Sequence, residues 1–286
     1  MKKFLFLVLI TAIMGWGCSS LVYVSDVGQL MKARENAPLQ PSNLFTTNNT
    51  GGMPDISNNN IWVAFSRSDH KIVLRKLDGS MERVLEQKGS WPRWSPMGDR
   101  IVFWDPDENK ICILKVTDQT STGYNLPDEN GHDWWNNDTI VYSRRTGSTT
   151  SGEEFGLYFY EIPTNQDTGP IFPCSNPAVS RDGKLMACDQ KVRYLARNFL
   201  KIYIFEVPSF RLKSTITFEG TSGTSIWNIE GYSFSGDNQR LLFSATPPNE
   251  TQKEIYSVKV DGTGMKRLST IPGNDTQPSG YIGYPW

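Results

Sequence analysis

The chain has 286 residues, 38% hydrophobic and 12% aromatic, enough to bury a large core in one β domain or two smaller ones. A formal net charge of −1 without basic clustering argues against a nucleic-acid footprint. Only His70 and His132 are present, which leaves little room for metal or acid–base chemistry built on several imidazoles, and 24 glycines with 17 prolines suit a turn-dense all-β chain.

In chain order, Met1-Lys2-Lys3 gives a basic start, and Phe4–Met14 is apolar apart from Thr11. Gly15-Trp16-Gly17-Cys18-Ser19-Ser20 follows. The run is too short to span a bilayer and reads as a secretory leader. Gly17-Cys18 resembles a bacterial lipobox, which implies acylation of Cys18 after cleavage. Gly15 and Trp16 depart from the usual Leu and small residue, and ordinary secretion is the alternative. Ser19 in place of Asp points to the outer membrane where one exists. The expected division is 1–17 as signal, 18–52 as lipidated N-terminus and tether, and 53–286 as the folded domain. Within the tether, Leu21–Ser25 has strand character.

Cys112, Cys174 and Cys188 remain after the leader. Cys112 and Cys188 sit in apolar strands and read as small buried hydrophobes, and an odd count leaves at least one unpaired. A Cys174–Cys188 bridge across neighbouring strands is the less favoured alternative. The spacing does not fit zinc.

A repeat then begins. From Pro54, Pro92, Gly131, Pro177 and Tyr232, the position six residues on is always Asn or Gly: Asn60, Gly98, Asn137, Gly183, Asn238. Such residues tolerate a left-handed backbone at a turn. Positions nine and eleven residues on are apolar or aromatic and share one strand face, as in Ile101 and Phe103. The anchors lie 38, 39, 46 and 55 residues apart. Each unit adds a further strand, as in Lys71–Leu77, and three units add a short last one. Four short strands per unit predict a single all-β propeller of four-stranded antiparallel blades. Six blades are favoured, the last built from Leu21–Ser25 and the C-terminal Tyr281–Trp286. A five-bladed ring is the runner-up, and a β-sandwich the bland alternative.

The segments Trp94-Ser95-Pro96-Met97-Gly98-Asp99-Arg100-Ile101-Val102-Phe103, Ser180-Arg181-Asp182-Gly183-Lys184-Leu185 and Ile255–Gly262 resemble the repeat of TolB-like, WD40-like propellers. The resemblance covers the chain from about Met53 onward. It implies a scaffold used in the periplasmic Tol component, in non-catalytic peptidase domains and in surface lipoproteins. It does not specify a function. The separate N-terminal α/β domain of the Tol protein has no room here.

No nucleophile elbow occurs, and a serine in Gly220-Thr221-Ser222-Gly223 would have to draft a distant histidine. No catalytic residue, cofactor or metal is expected. Asp105–Asn109 clusters oxygen ligands but reads as a solvated turn rather than a calcium loop. Propellers bind at the channel mouth, through loops leading into the innermost strands. Those loops place His132, Asp133, Trp134, Trp135, Trp91, Trp227 and Tyr284 as ligand-binding candidates, with Trp94 and Trp134 equally readable as core plugs. The insertions Arg144–Glu154 and Asp189–Phe199 should shape one face, and the latter carries a local basic spot that reads as solvated. The expected function is a non-catalytic, lipid-anchored envelope protein that binds a protein or peptide. A glycan-binding lipoprotein, or a carbohydrate-active enzyme using a residue such as Asp133, is the alternative.

Overall fold

The computed structural model describes residues 18–25, 30–34, 42–45, 50–126, 131–149, 152–194, 197–219, 227–269 and 276–283. Every regular element among them is a strand, and the strands form six four-stranded antiparallel sheets. Five sheets are continuous in sequence, inner strand first. The first blade is Thr50–Ile56, Trp62–Arg67, Lys71–Lys76 and Glu82–Lys88. The second is Ser90–Trp94, Arg100–Asp105, Lys110–Lys115 and Ser121–Tyr124. The third is His132–Asn136, Thr139–Thr149, Gly152–Glu161 and Gln166–Thr168, and the fourth is Ser175–Val179, Leu185–Tyr194, Arg197–Glu206 and Arg211–Glu219. The fifth is Asn228–Phe234, Arg240–Thr246, Glu254–Lys259 and Lys266–Arg267. The closing sheet takes its inner strand from Thr276–Gly283 and the others from Cys18–Val24, Leu30–Arg34 and Ser42–Phe45.

Hydrophobic layers join each sheet to the next around the ring. Phe103 and Cys112 meet Ile72 and Leu74 between the second and first blades. Leu21 and Tyr23 of the closing sheet meet Leu242 and Ile255 of the fifth blade, and Val22 meets Val63 and Phe65 of the first. Because each sheet is covered on both sides, its middle strands bury consecutive residues rather than alternate ones. Ile255, Tyr256, Ser257 and Val258 are all buried.

The recurrent Ser–Gly/Asn signature has a hydrogen-bonding cause. Ser57, Ser95, Ser180 and Ser235 are buried at the end of the inner strand. Each hydroxyl accepts from the backbone N–H that restarts the chain after the turn, at 2.9–3.1 Å, from Trp62, Arg100, Leu185 and Arg240 respectively. Asn60, Gly98, Gly183 and Asn238 turn the chain with φ of 56°, 72°, 67° and 60°. The third blade departs from this rule. Trp134 pairs with Ile140 as Trp94 pairs with Ile101, so its turn is one residue shorter, and Asn137 is not among the left-handed residues. Counting from Gly131 therefore puts that inner strand one position out of register.

Two expectations are corrected. The described residues of 18–52 are sheet rather than tether: Cys18–Val24, Leu30–Arg34 and Ser42–Phe45 are held in the closing sheet by backbone pairing. Cys174 and Cys188 are joined in a disulfide, which ties the lead-in of the fourth blade to its second strand. Cys112 is free and buried, and burial pushes its thiol up to about 11.

Candidate functional site

Equivalent positions on the six inner strands face the ring axis: Asp55, Arg93, Asp133, Ala178, Ser233 and Ser279. All six line one cavity of about 410 Å³. The first and third blades use their acid in the same way. Asp55 Oδ2 accepts the Trp94 N–H at 2.8 Å, and Asp133 Oδ2 accepts the Val179 N–H at 2.7 Å, each reaching the next blade. Asp133 Oδ1 also accepts the Trp134 N–H at 2.8 Å. Burial raises the Asp133 carboxyl to about 6, against a lowering by Arg93, with Asp55 raising it further. Arg93 lies between these acids, and its Nε has no hydrogen-bond partner.

The turn-side end of this channel is bridged. Arg181, on the turn of the fourth blade, reaches the opposite first blade and donates to Ile56 O at 2.8 Å, Asn60 Oδ1 at 2.9 Å and Ser57 O at 3.3 Å. Burial lowers its pKa, a cost that the three acceptors offset.

The other end opens into a second cavity of about 330 Å³ with Arg93 at its floor. Trp91, His132, Phe155 and Tyr232 supply ring surface, and Glu153, Asp189, Lys191 and Glu230 supply charge. The long hairpins of the third and fourth blades bring in Phe155 and Lys191, so these insertions do shape one face. Trp91 is held at φ 58°, an uncommon backbone for a bulky residue, and its ring stacks on Trp104 at 5.8 Å. His132 Nε2 lies 2.9 Å from the Trp91 carbonyl, which can only accept, so that nitrogen carries a proton. Asp189 accepts from Ser175 Oγ at 2.8 Å, and burial raises it to about 6. The Tyr232 hydroxyl donates to Asn176 O.

The structure separates the predicted residues. Trp91 and His132 reach the open mouth. Asp133 lies on the axis, and Trp134 and Trp135 line the bridged end. Trp134 is a core plug. It is 2% exposed, donates Nε1–H to Arg93 O at 2.9 Å and carries the Arg100 guanidinium over its ring. Trp94 is likewise buried between blades. Trp135 stacks on Phe210 at 5.1 Å and meets the edge of Phe159. Trp227 packs on Phe218 and Tyr256, away from both cavities. Tyr284 and Gly220–Gly223 lie outside the described residues. Asp105 folds onto its own turn by accepting the Asp107 and Glu108 N–H groups. Among the described residues, no three His, Cys, Asp or Glu side chains gather as a metal site. Sequence reasoning missed Asp55, Arg93, Phe155, Asp189 and Tyr232. Charged residues inside otherwise apolar inner strands were the available signal for the first two.

No protein-family model matches the chain, and no curated protein matches it. Solved structures do. TolB from Acinetobacter baumannii aligns over 93% of this chain and 67% of its own, at 16% identity and a TM-score of 0.73. The fold is a TolB-like β-propeller. A protein provisionally assigned as TolB from Agrobacterium tumefaciens aligns over 94% of this chain and 98% of its own, at 14% identity and a TM-score of 0.62. A chain of a nidogen/laminin complex aligns over 93% of this chain and 100% of its own length, at 8% identity and a TM-score of 0.62. At these identities the likeness is one of fold.

Proposed function

We propose that the chain is a non-catalytic cell-envelope lipoprotein, anchored through Cys18, whose propeller binds a protein or peptide partner at the open channel mouth. The observation that carries this reading is the asymmetry of the channel. One end is spanned by Arg181, whereas the other is a cavity of about 330 Å³ rimmed by long hairpins. Its mixture of ring surface and opposed charges suits peptide side chains and backbone. The two acids with raised pKa are committed to structure, Asp133 to two backbone N–H groups and Asp189 to Ser175 and Asn176. That favours binding over acid–base catalysis. The test is affinity capture from envelope extract by the wild type and by Phe155→Ala/Lys191→Glu. A protein held by the wild type and lost by the double variant is expected. Recovery of polysaccharide alone would replace the peptide with a glycan, and turnover of a glycosidic substrate panel would reject the non-catalytic reading.

A further inference from the structure

The strand register places Cys18 on one face of the ring. Inner strands run from the open mouth towards the turn side. In the closing sheet, Pro278 lines the open cavity, whereas Ser279 lines the bridged one. Gly283 therefore ends that strand on the turn side. The neighbouring strand is antiparallel and pairs Cys18 with Gly283 and Val24 with Thr276. Its first residue thus emerges on the turn face, with no intervening length of chain between Cys18 and the sheet.

Exposed apolar side chains collect on the same face. Seven large hydrophobic residues are well exposed among those described, and five lie on the turn side: Met97 at 74%, Leu212 at 50%, Ile61 at 47%, Met265 at 42% and Met81 at 40%. Ile61 and Met81 belong to the first blade, Met97 to the second and Met265 to the fifth. The closing sheet sits between the fifth and first blades, so these four bracket the sheet that begins at Cys18, and Leu212 of the fourth blade lies farther round the same face. The first turns of the third and fourth blades carry Asn137, Asp138, Asp182 and Lys184 instead.

We propose that this sector rests on a lipid bilayer, with Met97, Ile61, Met81 and Met265 entering the interface around an acylated Cys18. This rests on the lipoprotein reading of Cys18. A lipid anchor at Cys18 fixes the point of attachment, and apolar side chains entering the interface beside it fix which face of the ring meets the bilayer. The orientation then directs the open cavity and its hairpins away from the membrane.

The test uses the full chain expressed with its leader and reconstituted into phosphatidylethanolamine/phosphatidylglycerol vesicles that carry a collisional quencher in the acyl region. Met97→Cys, Met81→Cys and, on the opposite face, Lys191→Cys are each labelled with an environment-sensitive fluorophore, Cys112 being buried. Intact mass reports acylation of Cys18 independently. The proposal expects an acylated protein whose labels at positions 97 and 81 are quenched at least about threefold more than the label at 191. Acylation with equal or reversed quenching overturns the docking face while leaving the lipoprotein reading intact. A mass without acyl groups overturns both.

Discussion

The two ends of the channel are built from the same six strands and differ in what crosses them. At the turn side, Arg181 spans opposite blades and donates to the backbone carbonyls of Ile56 and Ser57 and to the side-chain oxygen of Asn60. At the hairpin side, Phe155, Lys191, Glu153 and Glu230 stand around the opening. The rim acids Glu153 and Glu230 pair with Arg145 and Lys253, which fixes them at the edge. Repetition sets a ring and an axis, and single residues in individual blades then decide what crosses or lines each end. Function follows from the exceptions to the repeat.

The largest way to break the contrast is Trp134→Ala, which removes a buried ring from beneath the bridged end. It should cost about 3–5 kcal/mol of stability, read by calorimetry or denaturant unfolding. A cost below about 1 kcal/mol would mean that the ring is a surface anchor. Next, Arg181→Ala should cost about 1–3 kcal/mol, because Ile56 and Ser57 lose their donor across the mouth. It should also raise hydrogen exchange in the turns of the first and fourth blades. Unchanged exchange there would show that the bridge closes nothing.

A smaller effect concerns pH. Asp133 and Asp189 are both raised to about 6 in the folded chain from an ordinary value of 3.8. Their contribution to stability is fully present below about pH 4 and is lost as pH rises through about 6. Exposed Asp69 and Asp118 are lowered to about 2 by hydrogen bonds and titrate below this window. The melting temperature should therefore fall between pH 4 and pH 7, and Asp189→Asn should flatten that slope. A slope that steepens in the variant would reverse the sign argued for burial. The smallest effect on stability is expected from Phe155→Ala/Lys191→Glu, whose consequence should appear in partner capture rather than in melting.

The propeller was legible because its turns are chemically demanding. A buried serine and a left-handed Gly or Asn recur in four blades, and few other residues fit those positions. The fourth strands Ser121–Tyr124 and Gln166–Thr168 were not, since they are largely exposed and show no apolar alternation. The binding cluster was legible only in part. His132, Asp133, Trp134 and Trp135 are adjacent in sequence, but a strand advances about 3.3 Å per residue and alternates its side chains. Four neighbours therefore run from the open mouth to the bridged end. The cavity that does form draws Phe155, Asp189 and Tyr232 from three blades, and no spacing in one chain announces that they meet.

Photo-crosslinking in the native envelope tests the account most directly. A photoreactive residue is placed at Phe155 in the open mouth and, separately, at Asp182 on the bridged side. Protein adducts from position 155 alone are the expected result. Protein adducts from position 182 with none from 155 would contradict it.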